Sequence, residues 1–156
     1  MKVKGLLKKK GDRLLSAEPN TPLTAAVRTM MENRVGSLVV MENGKLRSII
    51  TERDVMAAVD RYADRIGELK VADMMAKQLV TCASEDSVDA IMDLMLRNPT
   101  KRRIRHLPVV DDGELKGVVS IGDIVAALLT EAKFENELLK NYIKNWPENG
   151  DSVHAN

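Results

Sequence analysis

Residues 37–54 read SLVVMENGKLRSIITERD, and residues 106–123, which begin 69 positions later, read HLPVVDDGELKGVVSIGD. Each stretch has an apolar run, a turn with Asn-Gly or Asp-Gly, a second apolar run, and a hydroxyl residue followed three positions later by aspartate. Two short apolar runs joined by such a turn predict a β-hairpin. A hydroxyl residue with an acid three positions on predicts the start of a helix. The sequence therefore contains one structural unit twice.

The repeat extends to the N-terminal side of both hairpins. Leu14–Ala17 matches Leu79–Cys82, and Leu23 matches Val88, at an offset of 65 positions. Apolar residues at helical spacing follow in each copy. Because the offset rises from 65 to 69 between this helix and the hairpin, residues 98–101 are predicted to be an insertion in the second copy. Each copy is therefore predicted to form strand, helix, strand, strand and helix.

Beyond the second copy, the sequence predicts one more helix. Phe134, Leu138 and Tyr142 recur every four residues, which is typical of a helix over residues 131–144. The predicted division of the chain is an N-terminal segment at 1–11, a first repeat at 12–60, a linker at 61–76, a second repeat at 77–129, a C-terminal helix at 130–146 and a flexible tail at 147–156.

Composition excludes several classes of function. The chain has 156 residues, 44% of them hydrophobic, and a net charge of +1, so it has no general attraction to nucleic acid or anionic membranes. One cysteine, Cys82, and two histidines exclude an intramolecular disulfide and an ordinary zinc site. An aromatic content of 3% argues against single-strand nucleic-acid binding, which depends on base stacking. Without a membrane-length apolar run or an export signal, we expect a cytoplasmic protein with no membrane partner.

The chemistry of the repeat lies in two tetrapeptides, Thr51-Glu52-Arg53-Asp54 and Ser120-Ile121-Gly122-Asp123. One interpretation is a helix cap with an acid in the first turn. The other is a nucleotide site, because a helix N-terminus offers amides to phosphate and a carboxylate can accept both hydroxyls of a ribose. Both interpretations stay open from the residues alone. Arg53 adds a cation that can contact phosphate in the first tetrapeptide only.

These residues, together with Arg34–Val40 and Arg103–Val110 before them, resemble a tandem pair of cystathionine-β-synthase (CBS) domains. The resemblance covers about two-thirds of the chain. It implies an α/β fold in which two β-α-β-β-α units face each other around a pseudo-twofold axis, with two clefts between them and a C-terminal helix added. It also implies binding of adenosine-containing ligands and regulation rather than catalysis.

The resemblance implies a set of nucleotide-binding residues in each cleft. The hydroxyl and aspartate of each tetrapeptide hold ribose and phosphate, and residues from the other segments line the base and phosphate region. The segment Lys4–Lys9 closes over one adenine. Two departures from the family pattern are Ser48, where the second copy has Gly117, and the inserted loop, which we expect beside the second cleft. The full set is Thr51, Arg53, Asp54, Ser120, Asp123, Val35, Gly36, Ser37, Arg105, His106, Lys70 and Val71.

The expected function is therefore a regulatory CBS module that stands alone, binds an adenine nucleotide of the AMP, ATP or NAD type, and signals to an unknown partner protein. We expect no catalytic residue, no metal and no obligatory cofactor. We also expect a homodimer, because small repeats leave apolar helix faces exposed. The alternative is a structural dimer module whose clefts bind nothing.

Overall fold

The structure is a computed structural model and describes residues 1–11 and 13–145. The tail predicted for residues 147–156 lies outside this range. In chain order the elements are α1 (Val3–Lys10), β1 (Ser16–Ala17), α2 (Leu23–Asn33), β2 (Ser37–Glu42), β3 (Lys45–Thr51), α3 (Glu52–Tyr62), a 3₁₀ helix (Ala63–Glu68), α4 (Val71–Met74), α5 (Val88–Leu96), β4 (His106–Asp111), β5 (Glu114–Ser120) and α6 (Ile121–Lys144).

Both predicted hairpins are present. β2 pairs with β3 and β4 pairs with β5, each pair antiparallel. Asn43 and Gly44 have φ values of 52° and 75°, and Asp112 and Gly113 have values of 50° and 79°. Two consecutive positive φ angles define the tight hairpin turn that Asn-Gly and Asp-Gly favour, because these residues tolerate the left-handed region. The turn chemistry of the sequence is therefore confirmed in both repeats.

The first strand of each repeat is shorter than its hairpin. β1 lies parallel to β2, so the first sheet has the order β1-β2-β3. In the second repeat the equivalent strand is a single parallel bridge between Cys82 and Val109. The Cys82 amide donates to the Pro108 carbonyl at 3.0 Å, and the Cys82 carbonyl accepts from Val110 at 2.8 Å. The strand predicted at the start of the second repeat is therefore reduced to a single β-bridge.

Each repeat completes its core with the segment that precedes the other repeat. Val3 and Leu6 of α1 belong to the core of the second repeat, whereas Val71 and Met74 of α4 belong to the core of the first. The backbone repeats this exchange, since Val3 donates to the Asp86 carbonyl at 2.9 Å and Val71 donates to Thr21 at 2.8 Å. Asp86 and Thr21 occupy equivalent positions. The two repeats are thus joined by a reciprocal exchange about a pseudo-twofold axis.

Ser48 and Gly117 differ because these two exchanged segments differ. A Cβ at Gly117 would lie 2.8 Å from Cδ2 of Leu7, so α1 packs directly on the glycine backbone. In the first repeat α4 is shorter, and the buried Ser48 donates its hydroxyl to the Ala76 carbonyl at 2.7 Å. Serine therefore has a packing role that glycine could not fill there.

α6 is one uninterrupted helix of 24 residues. The closing helix of the second repeat and the terminal helix, which the sequence pattern separates near residue 130, are one element because no proline or glycine interrupts residues 123–144. Its inner face is buried at Ile124 and Ala127. Among the described residues, no helix combines the length and apolarity that crossing a membrane requires.

We predict that α1 is required for stability. Leu6→Ala should lower the free energy of unfolding by about 2–5 kcal/mol, because Leu6 is 3% exposed and its loss leaves a cavity in the second core. Chemical denaturation measures the change. Lys8→Ala, on the exposed side of the same helix, is the control and should change stability by less than about 0.5 kcal/mol. Equal, small effects of both would show that α1 is dispensable.

Candidate functional site

The hairpin registers bring the predicted site residues together in each repeat. Ser37 lies opposite Thr51 in the first hairpin, and His106 lies opposite Ser120 in the second. The backbone closes the same corner in both repeats, since Glu52 donates to the Gly36 carbonyl at 3.1 Å and Ile121 donates to Arg105 at 2.9 Å. The start of one strand and the N-terminus of the following helix therefore form one corner.

In the first corner, the Asp54 carboxylate turns back onto Thr51. Its Oδ2 accepts from the Thr51 amide at 2.8 Å and from the Thr51 hydroxyl at 3.1 Å. Burial raises the pKa of Asp54 and outweighs the two Thr51 hydrogen bonds and the charges of Arg102 and Arg53. Among the described residues, no basic nitrogen lies within ion-pair distance of this carboxylate. Asp54 is thus a half-buried acid without a direct counter-ion.

In the second corner the cap is reciprocal and the aspartate is paired. The Ser120 amide donates to Asp123 Oδ2 at 2.8 Å, and the Asp123 amide donates to the Ser120 hydroxyl at 3.1 Å. Lys10, the last residue of α1, donates to the same Oδ2 at 2.9 Å. Burial acts to raise the pKa of Asp123, but the Lys10 hydrogen bond and charge and the Ser120 hydrogen bonds outweigh it and hold the pKa below its usual value.

The two corners meet at Gly36 and His106. A Cβ at Gly36 would displace the Glu52 carboxylate and lie 3.3 Å from Nε2 of His106, so these two side chains approach the glycine backbone closely. Burial lowers the pKa of His106, although the negative charges of Glu52 and Asp123 act in the opposite direction. Groups from both repeats therefore lie close together at the centre, as the resemblance implies.

The residues that follow the inserted loop border the first motif, and the expectation that the loop itself lies beside the second cleft stays a prediction. Its insertion point is where predicted, because Ile104 still donates to the Met95 carbonyl at 2.9 Å as Val35 does to Met30 at 3.0 Å. However, Arg53 donates to the Arg103 carbonyl at 3.3 Å. Arg102 also acts electrostatically on Asp54. The second repeat thus supplies basic residues to the first cleft.

Lys70 and Val71 lie at the start of α4, the segment that completes the first core. The Val71 side chain is completely buried, its amide donates to Thr21, and its carbonyl accepts from Met75 at 2.8 Å. The burial leaves no exposed side chain at Val71, and its role in nucleotide binding stays a prediction. Lys70 is exposed, and its amide donates to Asp73 at 2.7 Å. Val35 likewise packs against the first core.

Sequence reasoning missed Lys10 and Arg102. The partner of Lys10, Asp123, is 113 positions away, which no local pattern reveals. One signal was present, because the sequence offset that relates Val3 to Val71 places Gln78 opposite Lys10 and so distinguishes the two segments. Arg102 follows the insertion, and its counterpart in the first repeat is the uncharged Asn33, so the repeat does not predict a cation there.

The sequence profile of the CBS domain matches residues 10–61 and 71–130. The chain therefore belongs to the CBS-domain family and carries two copies of the domain in tandem. This result agrees with the repeated hairpin, the paired corners and the exchanged segments.

Three known proteins show how close the relationship is. A mitochondrial CBS domain-containing protein of Arabidopsis thaliana is 39% identical over 124 residues, a match that covers 76% of this chain and 58% of that protein. The crystal structure of a CBS-domain-containing protein from Agrobacterium tumefaciens has a TM-score of 0.75 at 34% identity and covers 81% of this chain and 98% of that one. A CBS domain pair solved with 5′-methylthioadenosine and S-adenosyl-L-methionine shares the fold, with a TM-score of 0.70 at 23% identity over 84% of this chain and 98% of that one.

We predict that the two motif aspartates affect the stability of the ligand-free protein in opposite directions. Asp54→Asn keeps an acceptor for the Thr51 amide and removes a carboxylate whose ionised form is disfavoured by burial, so stability at pH 7 should be unchanged or higher. Asp123→Asn removes the ion pair with Lys10 and should lower stability by up to about 1 kcal/mol.

The contributions of Asp123 and Asp54 to stability should change with pH in opposite directions. A lowered pKa means that the Asp123 contribution is present at neutral pH and is lost as the pH falls through its folded value, so the Asp123→Asn deficit should shrink toward about pH 3. The raised pKa of Asp54 means that its contribution is present at low pH and is lost as the pH rises. Urea denaturation across this range measures both. Equal losses at pH 7 would make the two residues equivalent helix caps.

Proposed function

We propose that this CBS pair binds an adenosine-containing nucleotide, of the AMP, ATP or NAD type, in the clefts between its repeats and regulates a partner protein through it. In this proposal Thr51 and Asp54, and Ser120 and Asp123, hold ribose and phosphate in the two clefts. The nucleotide is a regulatory ligand rather than an obligatory cofactor, and the residues described here carry out no catalysis. The cytoplasmic location expected from the sequence stays a prediction.

The observation that carries the proposal is the state of Asp54. In the capping box of α3, Thr51 is the cap and Asp54, at the third helical position, only has to accept from the Thr51 amide, a role that a neutral side-chain amide also fills. A half-buried carboxylate without a direct counter-ion instead raises the free energy of the folded protein at neutral pH, because burial disfavours its charge. Two ribose hydroxyls donating to this carboxylate would stabilise its ionised form. A ligand therefore explains a residue that capping does not.

The chain supplies the other groups that such a nucleotide requires. The positive ends of the helix dipoles at the N-termini of α3 and α6 favour phosphate. Arg53 and Arg102 place positive charge beside the first motif. The complex of a structurally similar CBS pair with 5′-methylthioadenosine and S-adenosyl-L-methionine supports an adenosine ligand.

We predict that an adenine nucleotide stabilises the protein. A ligand bound only by the folded state adds about 2.7 kcal/mol at 100 times its Kd, which raises Tm by several degrees. Thermal unfolding with AMP, ATP and NAD at millimolar concentration is the test. If none of the three changes Tm, the proposal is wrong for these ligands.

The same proposal requires both motifs for binding. Asp54→Ala and Asp123→Ala should each weaken binding at their own cleft by about ten- to a hundredfold in calorimetry, because each removes charge-assisted hydrogen bonds to ribose. Asp89→Ala is the matched control, since Asp89 is an exposed acid in the first turn of α5, away from both motifs. Unchanged affinity in both motif variants would reduce the motifs to helix caps.

A second copy of the chain is the partner that the exposed surface favours. One side of α6 carries apolar residues exposed along its whole length, among them Val125 at 48% and Leu129 at 62%. Met56 of α3, at the position equivalent to Val125, is 72% exposed. Described residues 129–145 are all exposed, and a helix of this length is marginal in water without packing. We propose that two copies pair through α3 and α6, and this dimer would also serve the alternative, purely structural role.

We predict a homodimer of about twice the 17.3 kDa chain mass in light scattering at micromolar concentration. Val125→Glu should shift the mass toward that of one chain, because it places a charge in the apolar stripe. Thr130→Glu adds the same charge on another side of α6 and should leave the dimer intact. A wild-type mass of one chain would refute the prediction.

A further inference from the structure

Lys10 lies inside the second cleft rather than on the protein surface beside it. Its ammonium donates to Asp123 Oδ2 at 2.9 Å and to the Val118 carbonyl at 2.8 Å. The exposed fractions of the Lys10 and Asp123 side chains are 37% and 26%, so the pair is partly shielded from water. Anchored by α1, the ammonium thus bridges the motif carboxylate and the end of β5.

In the first repeat, a backbone amide rather than a lysine occupies the position equivalent to that of the Lys10 ammonium. After α4 the chain is extended, and the Ala76 amide donates to the Ile49 carbonyl at 3.0 Å. Ile49 is the counterpart of Val118, so a backbone amide stands in the first cleft where the Lys10 ammonium stands in the second. The Asp54 carboxylate is bonded instead to the neutral hydroxyl of Thr51, which can rotate away when another donor arrives.

A cavity of about 230 Å³ lies next to the Lys10–Asp123 pair, between α1 and α6. Lys9 and Lys10 line it on one side and Asp123 on the other. Its volume is below the roughly 300–1,000 Å³ of ordinary ligand sites, so the cavity holds only part of a nucleotide unless side chains at its wall move. Two lysines at its wall make the cavity suited to an anion.

We propose that Lys10 determines the ligand class of the second cleft by favouring anionic adenosine ligands over neutral ones. This inference rests on the proposed nucleotide-binding function. Asp123 Oδ2 already accepts from Ser120 and Lys10, so a ribose can use both oxygens of the carboxylate, one for each hydroxyl, only after Lys10 leaves Oδ2.

The charge of the arriving ligand then decides the outcome. A neutral nucleoside leaves the partly shielded ammonium without a counter-ion, whereas a nucleotide brings a phosphate that replaces Asp123 as its partner. In the first cleft only a rotating hydroxyl is displaced, so this mechanism does not discriminate there. Lys10 is therefore a specificity determinant that acts in one cleft and not in the other.

The test compares adenosine with AMP by calorimetry in the Asp54→Ala background, where the second cleft dominates binding. With Lys10 present, AMP should bind more tightly than adenosine. Lys10→Met should strengthen adenosine binding and weaken AMP binding, so that the preference for AMP falls by about tenfold or more. Lys45→Met removes the same charge from an exposed position at the start of β3, away from both motifs, and should leave the preference unchanged.

The outcomes separate this inference from the function on which it rests. If AMP binds but Lys10→Met has the same preference as the parent protein, or loses both ligands equally, Lys10 does not determine specificity and the proposed function stands. If neither adenosine nor AMP binds the wild-type chain, adenosine-ligand binding itself is wrong for these probes and the inference falls with it. A reduced preference in Lys45→Met as well would indicate general electrostatics and overturn the specific role of Lys10.

Discussion

The reciprocal exchange of leading segments is the constraint on which the rest of the structure depends. Val3 and Val71 are fully buried, each in the core of the repeat that it does not precede, and each donates its amide to an equivalent carbonyl. Neither repeat therefore has a complete core from its own residues alone. Because the exchange fixes the position of the two repeats relative to each other, it also fixes the clefts between them. It also brings Lys10 next to Asp123, which is 113 positions away in the sequence.

The sequence predicted the local part of this structure well. Hairpins, their turns and the motif helices depend on interactions within about 20 residues, and the signals are strong because Asn-Gly and Asp-Gly favour one turn geometry. The placement of Ser37 beside Thr51 and of His106 beside Ser120 follows from hairpin register alone. The fold class and the family followed from the doubling of these units.

The contacts between segments that are distant in the sequence could not be predicted from local sequence patterns. The ion pair of Lys10 with Asp123, the approach of Arg102 to Asp54 and the burial of Val71 each depend on how complete elements pack. Sequence assigned the same role to both motif aspartates and distinguished the motifs only by Arg53, whereas the surroundings of the two aspartates move their pKa values in opposite directions. The similar local sequences give Asp54 and Asp123 the same capping role. The difference in their electrostatics comes from residues that are distant in the sequence.

α6 joins two features that otherwise lie far apart. Its first turn is capped by Ser120 and contains Asp123, while its last half projects beyond the second repeat with every residue exposed. At about 1.5 Å per residue, 24 residues make a rod about 36 Å long. A tilt of about 5° at the capped end would displace the far end by about 3 Å, roughly the length of a hydrogen bond. A small change in the angle of α6 at the second cleft would therefore move the apolar surface at its other end by a larger distance.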